Sequence, residues 1–136
     1  MKEDCIFCKI AKGEVPCYKI WEDEEFLCFL DIAQVSKGHV LVIPKKHCEN
    51  VSDCDDEILG KLNVVCKKMG ILLKKNLGAT GFNIVNASGK DAQQSVFHLH
   101  YHVVARYPKD GIDMWFHGKG ELKDKLEEIA KKIKGE

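Results

Sequence analysis

The stretch Val96-Phe97-His98-Leu99-His100-Tyr101-His102-Val103-Val104-Ala105 alternates histidines with apolar residues over most of its length. A period of two predicts a β-strand, on which the side chains at i, i+2 and i+4 emerge from one face about 7 Å apart. We therefore predict a strand over residues 96–105 whose three histidines, His98, His100 and His102, point in the same direction. The apolar residues between them are expected to face the core. Three adjacent imidazoles add little to stability, so this row indicates a functional site.

Alternating histidines suit two kinds of chemistry. Neutral imidazole is the commonest protein ligand for metals such as zinc, and it also acts as a nucleophile and proton carrier in reactions of phosphate. A dedicated metal site normally recruits an acidic residue, yet the chain has no Asp or Glu between Gln93 and Arg106. The preceding segment 88–95 (SGKDAQQS) is rich in amide and hydroxyl groups. These neighbours favour a phosphate-binding site over a bare metal site.

The length and charge of the chain exclude several classes of function. A chain of 136 residues predicts one domain, spanning residues 1–136. The formal net charge is zero, and the apolar run 40–43 is far too short to span a bilayer. We therefore expect neither nucleic acid nor a membrane as a partner. Seven cysteines, an odd number, and an acidic N-terminus without an apolar signal region predict reduced thiols and a cytoplasmic protein.

The order of the predicted elements indicates an α+β fold. Residues 55–77 have apolar positions at helical spacing, acidic residues in the first turn, lysines in the last turn and Gly78 as the stop, which predicts one long helix. Strands follow one another before and after this helix, which is typical of an antiparallel sheet. We predict about five strands and two shorter helices. The strands are 17–21, 26–30, 39–43, 82–86 and 96–105, and the shorter helices are 5–11 and about 120–134.

Two further groups of residues carry candidate chemistry. Cys5 and Cys8 form a CxxC pair, which by spacing alone fits zinc ligands and incidental thiols equally well, because structural zinc needs four ligands. His39 and His47 bracket the predicted strand 39–43, and Gly38 allows close approach of the backbone. Taken alone, His47 indicates a surface side chain more than a ligand.

Segment 94–104 (QSVFHLHYHVV) resembles the signature of the histidine-triad superfamily, which is histidine-apolar-histidine-apolar-histidine followed by two apolar residues. Four other segments are similar to family segments and occur in the family order. They are 5–10 (CIFCKI), 29–32 (FLDI), 38–47 (GHVLVIPKKH) and 83–86 (NIVN). The resemblance extends from Cys5 to Tyr107. The chain length resembles the short Hint-type branch, which includes bacterial members.

This resemblance implies an antiparallel sheet with flanking helices, built as a homodimer whose two sheets join. It also implies a nucleotide-binding hydrolase or nucleotidyl transferase that acts at the α-phosphate of purine nucleoside phosphoramidates or dinucleoside polyphosphates. By position, His100 is the implied nucleophile, which forms a nucleotidyl-histidine intermediate. His102 is the implied proton donor near the leaving group. His98 and His39 are implied to orient and hydrogen-bond within this catalytic set.

The resemblance also implies which residues bind substrate and metal. Asp31 is implied to hold the ribose, and a carboxylate can accept from two adjacent hydroxyls. The implied base pocket consists of Ile6, Phe7, Ile10, Phe29, Ile32 and Leu41, and the implied contacts with phosphate or leaving group are Asn86, Gln94 and Ser95. Some bacterial relatives bind zinc through two cysteines and two histidines. The matching positions, Cys5, Cys8, His47 and His98, imply a structural zinc site, whereas the chemistry itself requires no cofactor.

Two positions before the histidines place demands on the backbone. Gln93 stands where family members usually carry glycine, so we expect either a negative φ there or an outward side chain. Ser95 has the opposite parity to the histidines, so it reaches phosphate only if the strand bends or ends there. Two alternative functions stay open at this point. One is a non-catalytic nucleotide-binding or interaction protein, and the other is a metal-dependent enzyme that uses the histidine row.

Overall fold

The structure, a computed structural model, describes residues 2–136. Five strands and three α-helices confirm the predicted α+β fold with one long helix. In chain order they are α1 (Ile6–Ala11), β1 (Lys19–Glu22), β2 (Phe26–Leu30), β3 (His39–Pro44), α2 (Asp56–Leu77), β4 (Gly81–Val85), β5 (Tyr101–Arg106) and α3 (Leu126–Ile133). The strands form one sheet in the spatial order β1-β2-β3-β5-β4, and every pair is antiparallel.

Different helices cover the two faces of the sheet. On one face, Val42 and Val103 belong to a core cluster that includes the buried side of α2. On the other face, Leu41 and Ile43 pack with Phe7 of α1. Successive residues of a strand therefore enter different clusters, as the pleat of a strand requires. The face that carries α1 is the one that also carries the histidines.

Helix α2 begins and ends where the sequence predicts. Asp55 is the N-cap, and its carboxylate accepts hydrogen bonds from the N–H groups of Glu57 and Ile58, at 2.9 and 3.3 Å. Gly78 follows the helix with a φ of +74°, which glycine adopts without steric cost. The buried residues are Leu62, Val65, Cys66, Met69, Gly70 and Leu73. The predicted apolar face is thereby confirmed.

Gly38 brings the loop before β3 against α2. Its φ is +111°, and an added Cβ would lie 2.9 Å from the nearest methyl carbons of Leu73 and Leu77 and 3.1 Å from the Cβ of Ala105. Glycine alone combines this backbone conformation with so close an approach. The contact fixes the start of β3 and therefore the position of the next residue, His39.

Strand β5 spans Tyr101–Arg106, so the predicted strand 96–105 was wrong in its first half. The ladder with β3 stops before Pro44, which has no N–H to donate. The N–H of Leu99 instead donates to the carbonyl of Cys48, in the loop after β3, at 2.8 Å. The first two histidines of the row, His98 and His100, therefore lie outside the ladder, after a bend in the backbone at residues 96–98.

The alternation of faces continues through that segment. Leu99 and Val103 both belong to the core cluster beneath α2. His98 and His100 instead approach Phe7, with ring centroids 5.9 and 5.2 Å away. The predicted separation of the histidines from the apolar residues between them is therefore confirmed, although the first half of the row is not paired in the sheet.

The C-terminal helix is also shorter than the predicted range 120–134. Helix α3 covers Leu126–Ile133, and Lys123–Lys125 before it form a single 3₁₀ turn. Gly120 has a φ of +76°, which a right-handed helix does not contain. The apolar residues Leu126 and Ile133 of α3 are exposed. Within residues 2–136, no helix combines the length and apolarity needed to cross a membrane.

Candidate active site

Phe7 and four histidines form a continuous row on the α1 side of the sheet. The Phe7 ring contacts those of His98 and His100. The ring centroids of His100 and His102 are 5.1 Å apart, and so are those of His102 and His39. The structure therefore brings together the four residues that the sequence predicts as the catalytic set.

Hydrogen bonding assigns the tautomer of His100. Its Nδ1 lies 2.8 Å from the carbonyl oxygen of His98. A carbonyl can only accept, so Nδ1 carries the proton and the lone pair of the neutral ring is on Nε2. The ring is 7% exposed and lines a cavity on this face of the sheet. An accessible imidazole lone pair is what a nucleophilic histidine needs.

A chain of hydrogen bonds assigns the tautomers of His39 and His102. The backbone N–H of Val35 donates to His39 Nδ1 at 3.3 Å, which leaves the proton of the neutral ring on Nε2. His39 Nε2 lies 2.9 Å from His102 Nδ1 and donates to it. The proton of neutral His102 is therefore on Nε2. His102 lines the same cavity as His100, but its free nitrogen is a donor and not an acceptor.

Burial keeps these two rings neutral. It lowers the pKa of His102 to about 4, with the neighbouring His100 and His39 acting in the same direction and Asp31 acting against them. Burial also lowers the pKa of His39, opposed by Asp31, whose Oδ2 lies 3.6 Å from His39 Nε2, and by the backbone of Ala33. Neutral rings are the state in which the assigned tautomers apply.

Asp31, His39 and His102 also form a group whose possible ligand atoms lie within 4.8 Å of one another. A tetrahedral metal ion with bonds of about 2.0–2.1 Å would hold two imidazole nitrogens about 3.3 Å apart. The nitrogens of His39 and His102 are 2.9 Å apart, which is a hydrogen-bond distance. A metal ion at His39 Nε2 would also move the ring proton to Nδ1, against the N–H of Val35. This group fits a hydrogen-bonded pair and not a metal site.

A cavity of about 570 Å³ opens beside the histidines. Eight residues predicted to bind substrate line it, namely Ile6, Phe7, Ile10, Phe29, Asp31, Ile32, Leu41 and Ser95. The cavity is also lined by five residues that were not predicted from the sequence, namely Val15, Pro16, Cys17, Tyr18 and Leu30. The apolar run 15–18 after Gly13 is the signal that could have found four of these. A mostly apolar cavity with a few polar groups is typical of a small-molecule site.

Asp31 and Ser95 supply polar groups to this cavity. One Asp31 oxygen, Oδ1, accepts the N–H of Ala33 at 2.8 Å, while Oδ2 faces His39. Ser95 lines the cavity. The sequence required that the strand not extend back to this serine, and β5 indeed begins only at Tyr101. The carboxylate and the hydroxyl therefore lie in the same cavity as the nucleophilic candidate.

Gln94 and Asn86 bind the backbone in this structure and are not among the described residues that line the cavity. The Gln94 amide donates to the carbonyls of Glu49 and Val96, at 2.7 and 3.0 Å. Asn86 Nδ2 donates to the carbonyl of His100 at 3.1 Å. Both side chains thus hold the segment that carries the histidines. Their predicted contact with phosphate stays a prediction.

Gln93 has a left-handed backbone, with a φ of +72°. Of the two conformations expected from the sequence, the negative φ is wrong, and the residue is exposed, as the outward orientation requires. A residue with a Cβ pays about 1–2 kcal/mol for this conformation relative to a right-handed one. The loop therefore keeps a backbone typical of glycine, at a cost in stability.

A second cluster of ligand-type side chains lies at the N-terminus of α1. Cys5 Sγ and Cys8 Sγ lie 3.3 and 3.5 Å from His98 Nδ1, and His47 Nδ1 lies 3.2 Å from the same atom. Tetrahedral zinc, with bonds of about 2.3 Å to sulfur and 2.0–2.1 Å to nitrogen, requires spacings of about 3.5 and 3.3 Å. The four side chains therefore have the geometry of a zinc site.

The surroundings of His98 suit a metal ligand. His98 Nε2 donates to the carbonyl of Pro44 at 2.8 Å, which places the lone pair on Nδ1, the atom that faces both sulfurs. Burial lowers the pKa of the ring to about 4, so it is neutral, as ligation requires. The carbonyl of the same residue accepts the Nδ1 proton of His100. His98 therefore connects the cysteine–histidine cluster to the nucleophilic candidate.

Comparison with known proteins agrees with this geometry. A HIT domain model matches residues 12–109. The chain is 47% identical over 133 residues to an uncharacterized HIT-like protein of Methanocaldococcus jannaschii, covering 96% of this chain and 99% of the relative. It is 38% identical over 135 residues to the adenosine 5′-monophosphoramidase of Schizosaccharomyces pombe, covering 96% and 98%. A zinc-bound histidine triad family protein from Mycobacterium smegmatis has a similar structure, with a TM-score of 0.79, 35% identity and 98% of each chain covered. The chain belongs to the HIT domain family.

Proposed function

We propose that this protein is a nucleotidyl hydrolase or transferase that cleaves purine nucleoside phosphoramidates or dinucleoside polyphosphates at the α-phosphate. The observation that carries the proposal is the tautomer of His100, whose Nε2 lone pair is available in a ring that lines the cavity. The ring of His102, with an N–H donor at Nε2, lies 5.1 Å away. The name of the yeast relative, an adenosine 5′-monophosphoramidase, supports the substrate class.

In this mechanism, His100 Nε2 attacks the α-phosphorus. A bond from Nε2 to phosphorus forms while the bond from phosphorus to the leaving nitrogen or oxygen breaks, which gives a nucleotidyl-histidine. His102 Nε2–H hydrogen-bonds to the leaving atom, where negative charge develops. A departing amine takes its additional proton from solvent, because a neutral imidazole is a weak acid. Water then attacks the phosphorus, releases the nucleoside monophosphate and a proton, and restores the His100 lone pair.

The same cavity suits the rest of a nucleotide. Its apolar wall, which includes Phe7 and Leu41, is expected to hold the base, because flat aromatic rings gain from burial against apolar side chains. Asp31 is expected to accept from the two ribose hydroxyls through its oxygens. The Ser95 hydroxyl is expected to donate to a phosphate oxygen. These groups bind the substrate and do not change during the reaction.

We also propose that Cys5, Cys8, His47 and His98 bind one structural zinc ion. The spacing of the four ligand atoms and the Pro44 carbonyl behind His98 support the site. A bound zinc ion would supply a fixed link between the start of α1 and the histidine segment. That link would hold α1 in place, and with it Phe7, against the ring of His100.

The test is a turnover panel with adenosine phosphoramidate and dinucleoside polyphosphates, combined with rapid quenching at alkaline pH to trap the covalent adduct. His100→Ala is expected to lower kcat by several orders of magnitude and to abolish the adduct. Its affinity for nucleoside monophosphate is expected to stay within about tenfold, or 1.4 kcal/mol, because His100 matters chiefly in the transition state. The matched control is His117→Ala, which removes an exposed imidazole paired with Asp113 at 2.7 Å.

Near-normal turnover by His100→Ala would refute the mechanism. Tight nucleotide binding by the wild type without turnover or adduct would instead indicate a non-catalytic nucleotide-binding protein. Loss of turnover on metal removal, with the fold and nucleotide affinity unchanged, would indicate a metal-dependent enzyme.

A further inference from the structure

The side chain of Gln34 braces the loop between β2 and β3. Its Oε1 accepts from the N–H groups of Gly38 and His39, at 3.0 and 2.9 Å. Its Nε2 donates to the carbonyls of Asp31 and His39, at 2.5 and 2.8 Å. One amide group therefore satisfies four backbone groups at the two ends of the loop. These ends carry Asp31 and His39, two residues of the proposed site.

These four hydrogen bonds fix the position of the backbone that faces His39 Nδ1. Val35 follows Gln34 directly, and its backbone N–H is the donor that His39 Nδ1 accepts. If the loop moved and this donor were lost, the His39 proton could occupy Nδ1. His39 Nε2 would then accept a hydrogen bond from an N–H at His102 Nδ1 across the same 2.9 Å contact. His102 would present a lone pair, and not an N–H, at its free nitrogen.

We propose that Gln34 is a positioning residue that sets the tautomers of His39 and His102, and thereby makes His102 a donor toward the leaving group. Only the catalytic consequence rests on the proposed function, because the tautomers are a property of the free protein. Gln34 touches neither imidazole ring in the hydrogen-bond network. It acts through the loop backbone, and its effect reaches His102 through two successive hydrogen bonds.

A second set of contacts anchors the same loop in a different way and supplies a control. Ser36 Oγ donates to the carbonyl of Ala105 at 2.6 Å, and the Tyr107 hydroxyl donates to the carbonyl of Lys37 at 2.5 Å. These bonds attach the loop to β5 and the residue after it. They do not involve the N–H of Val35. Loss of one of them is expected to loosen the loop without a change of tautomer.

The experiment compares wild type, Gln34→Leu and Ser36→Ala as full-length proteins without nucleotide. Long-range ¹H–¹⁵N NMR of the histidine side chains reports which ring nitrogen carries the proton. Wild type and Ser36→Ala are expected to show protonated Nε2 and unprotonated Nδ1 for both His39 and His102. Gln34→Leu is expected to show protonated Nδ1 at both rings in a substantial fraction of molecules. If Gln34→Leu does not fold, Gln34→Glu keeps the two acceptor contacts, loses the two donors and carries the same expectation.

Kinetics supply the second readout. An alkylamine is a poor leaving group and depends on the hydrogen bond from His102 Nε2–H to the leaving atom, whereas a nitrophenolate departs readily without it. Gln34→Leu is therefore expected to lower kcat about tenfold more for the amine than for the nitrophenolate, a difference of about 1.4 kcal/mol. Ser36→Ala is expected to lower both equally.

Wild-type tautomers in the Gln34 variant would overturn the proposal, and so would an equal tautomer shift in Ser36→Ala. A tautomer shift confined to the Gln34 variant, in a protein that turns over none of the substrates, would support the positioning role while refuting the proposed function.

Discussion

His102 is expected to make the folded protein sensitive to mild acid. Burial, with His100 and His39 nearby, lowers the pKa of this ring from 6.5 to about 4. As the pH falls, His102 therefore binds a proton in the unfolded chain at a pH at which it is still neutral in the folded chain. Stability is complete above the unfolded pKa of 6.5 and is lost as the pH falls toward the folded pKa. The direction follows because protonation between these two values favours the unfolded state.

The size of the loss follows from the two pKa values. At 1.36 kcal/mol per pKa unit, the full difference between the states is about 3 kcal/mol. At about pH 5 the unfolded ring is almost fully protonated and the folded ring only slightly, so the loss from this ring is about 2 kcal/mol. Because His102 is hydrogen-bonded to His39 at 2.9 Å, the titration belongs to the pair.

Urea unfolding at about pH 7.5 and about pH 5 measures this effect, with His102→Gln as the variant that cannot titrate. Glutamine can still accept the His39 N–H through its side-chain oxygen. Between these two pH values, the free energy of unfolding is expected to fall by about 2 kcal/mol more in the wild type than in the variant. The buried His98 is present in both proteins, so its contribution cancels in the difference. An equal loss in the two proteins would refute the burial of an uncharged His102.

Zinc removal by a chelator, or Cys8→Ser, is expected to lower the melting temperature and to expose α1 to proteolysis, because the cluster joins α1 to His98. The zinc site would be excluded if wild-type protein purified without chelator contained no zinc and had the same melting temperature as Cys8→Ser. Gly70→Ala is expected to destabilise by about 1–3 kcal/mol, because an added Cβ would lie 2.5 Å from the ring of Phe82. At Gly60, on the same helix, an added Cβ would meet no atom within 4 Å, so Gly60→Ala is expected to raise the free energy of unfolding by about 1 kcal/mol. Urea unfolding that shows the same change in stability for both variants would contradict the close packing at Gly70. Light scattering is expected to show that the wild type is a homodimer. The variant Ile84→Lys, on the exposed edge strand β4, is expected to have the mass of the 15.4 kDa monomer. A wild type that is monomeric at micromolar concentration would contradict the dimer.

Elements whose limits depend on local chemistry could be predicted from the sequence. Helix α2 is an example, because Asp55 and Gly78 end it through contacts within a few residues. Strand β5 is the opposite case. Its first residue depends on Pro44 and on the Cys48 carbonyl, which are distant in sequence and meet the chain only after folding. A period of two reports an extended backbone, and it does not report whether a neighbouring strand pairs with it.

The same distinction applies to the cavity. Residues that recur in a motif, such as Asp31 and His100, could be placed in one site because the resemblance puts them there. The connecting segment 15–18 shows only that it is apolar. It has no periodicity, and its residues become a cavity wall only when α1 packs on the sheet. Gln34 was missed for a related reason. Its function lies in four backbone contacts, and a glutamine in a loop has no pattern that predicts them.

The histidine row itself shows what residue type and spacing leave undetermined. His98, His100 and His102 share one residue type and one spacing, yet their partners give them three different chemical characters. His98 donates from Nε2 to a carbonyl and keeps a lone pair on Nδ1 for the cysteine cluster. His100 donates from Nδ1 and keeps its lone pair on Nε2, and His102 accepts at Nδ1 and keeps a proton on Nε2. Alternation predicts that the three rings share a face. The hydrogen bonds behind each ring decide which one is suited to be a ligand, a nucleophile or a donor.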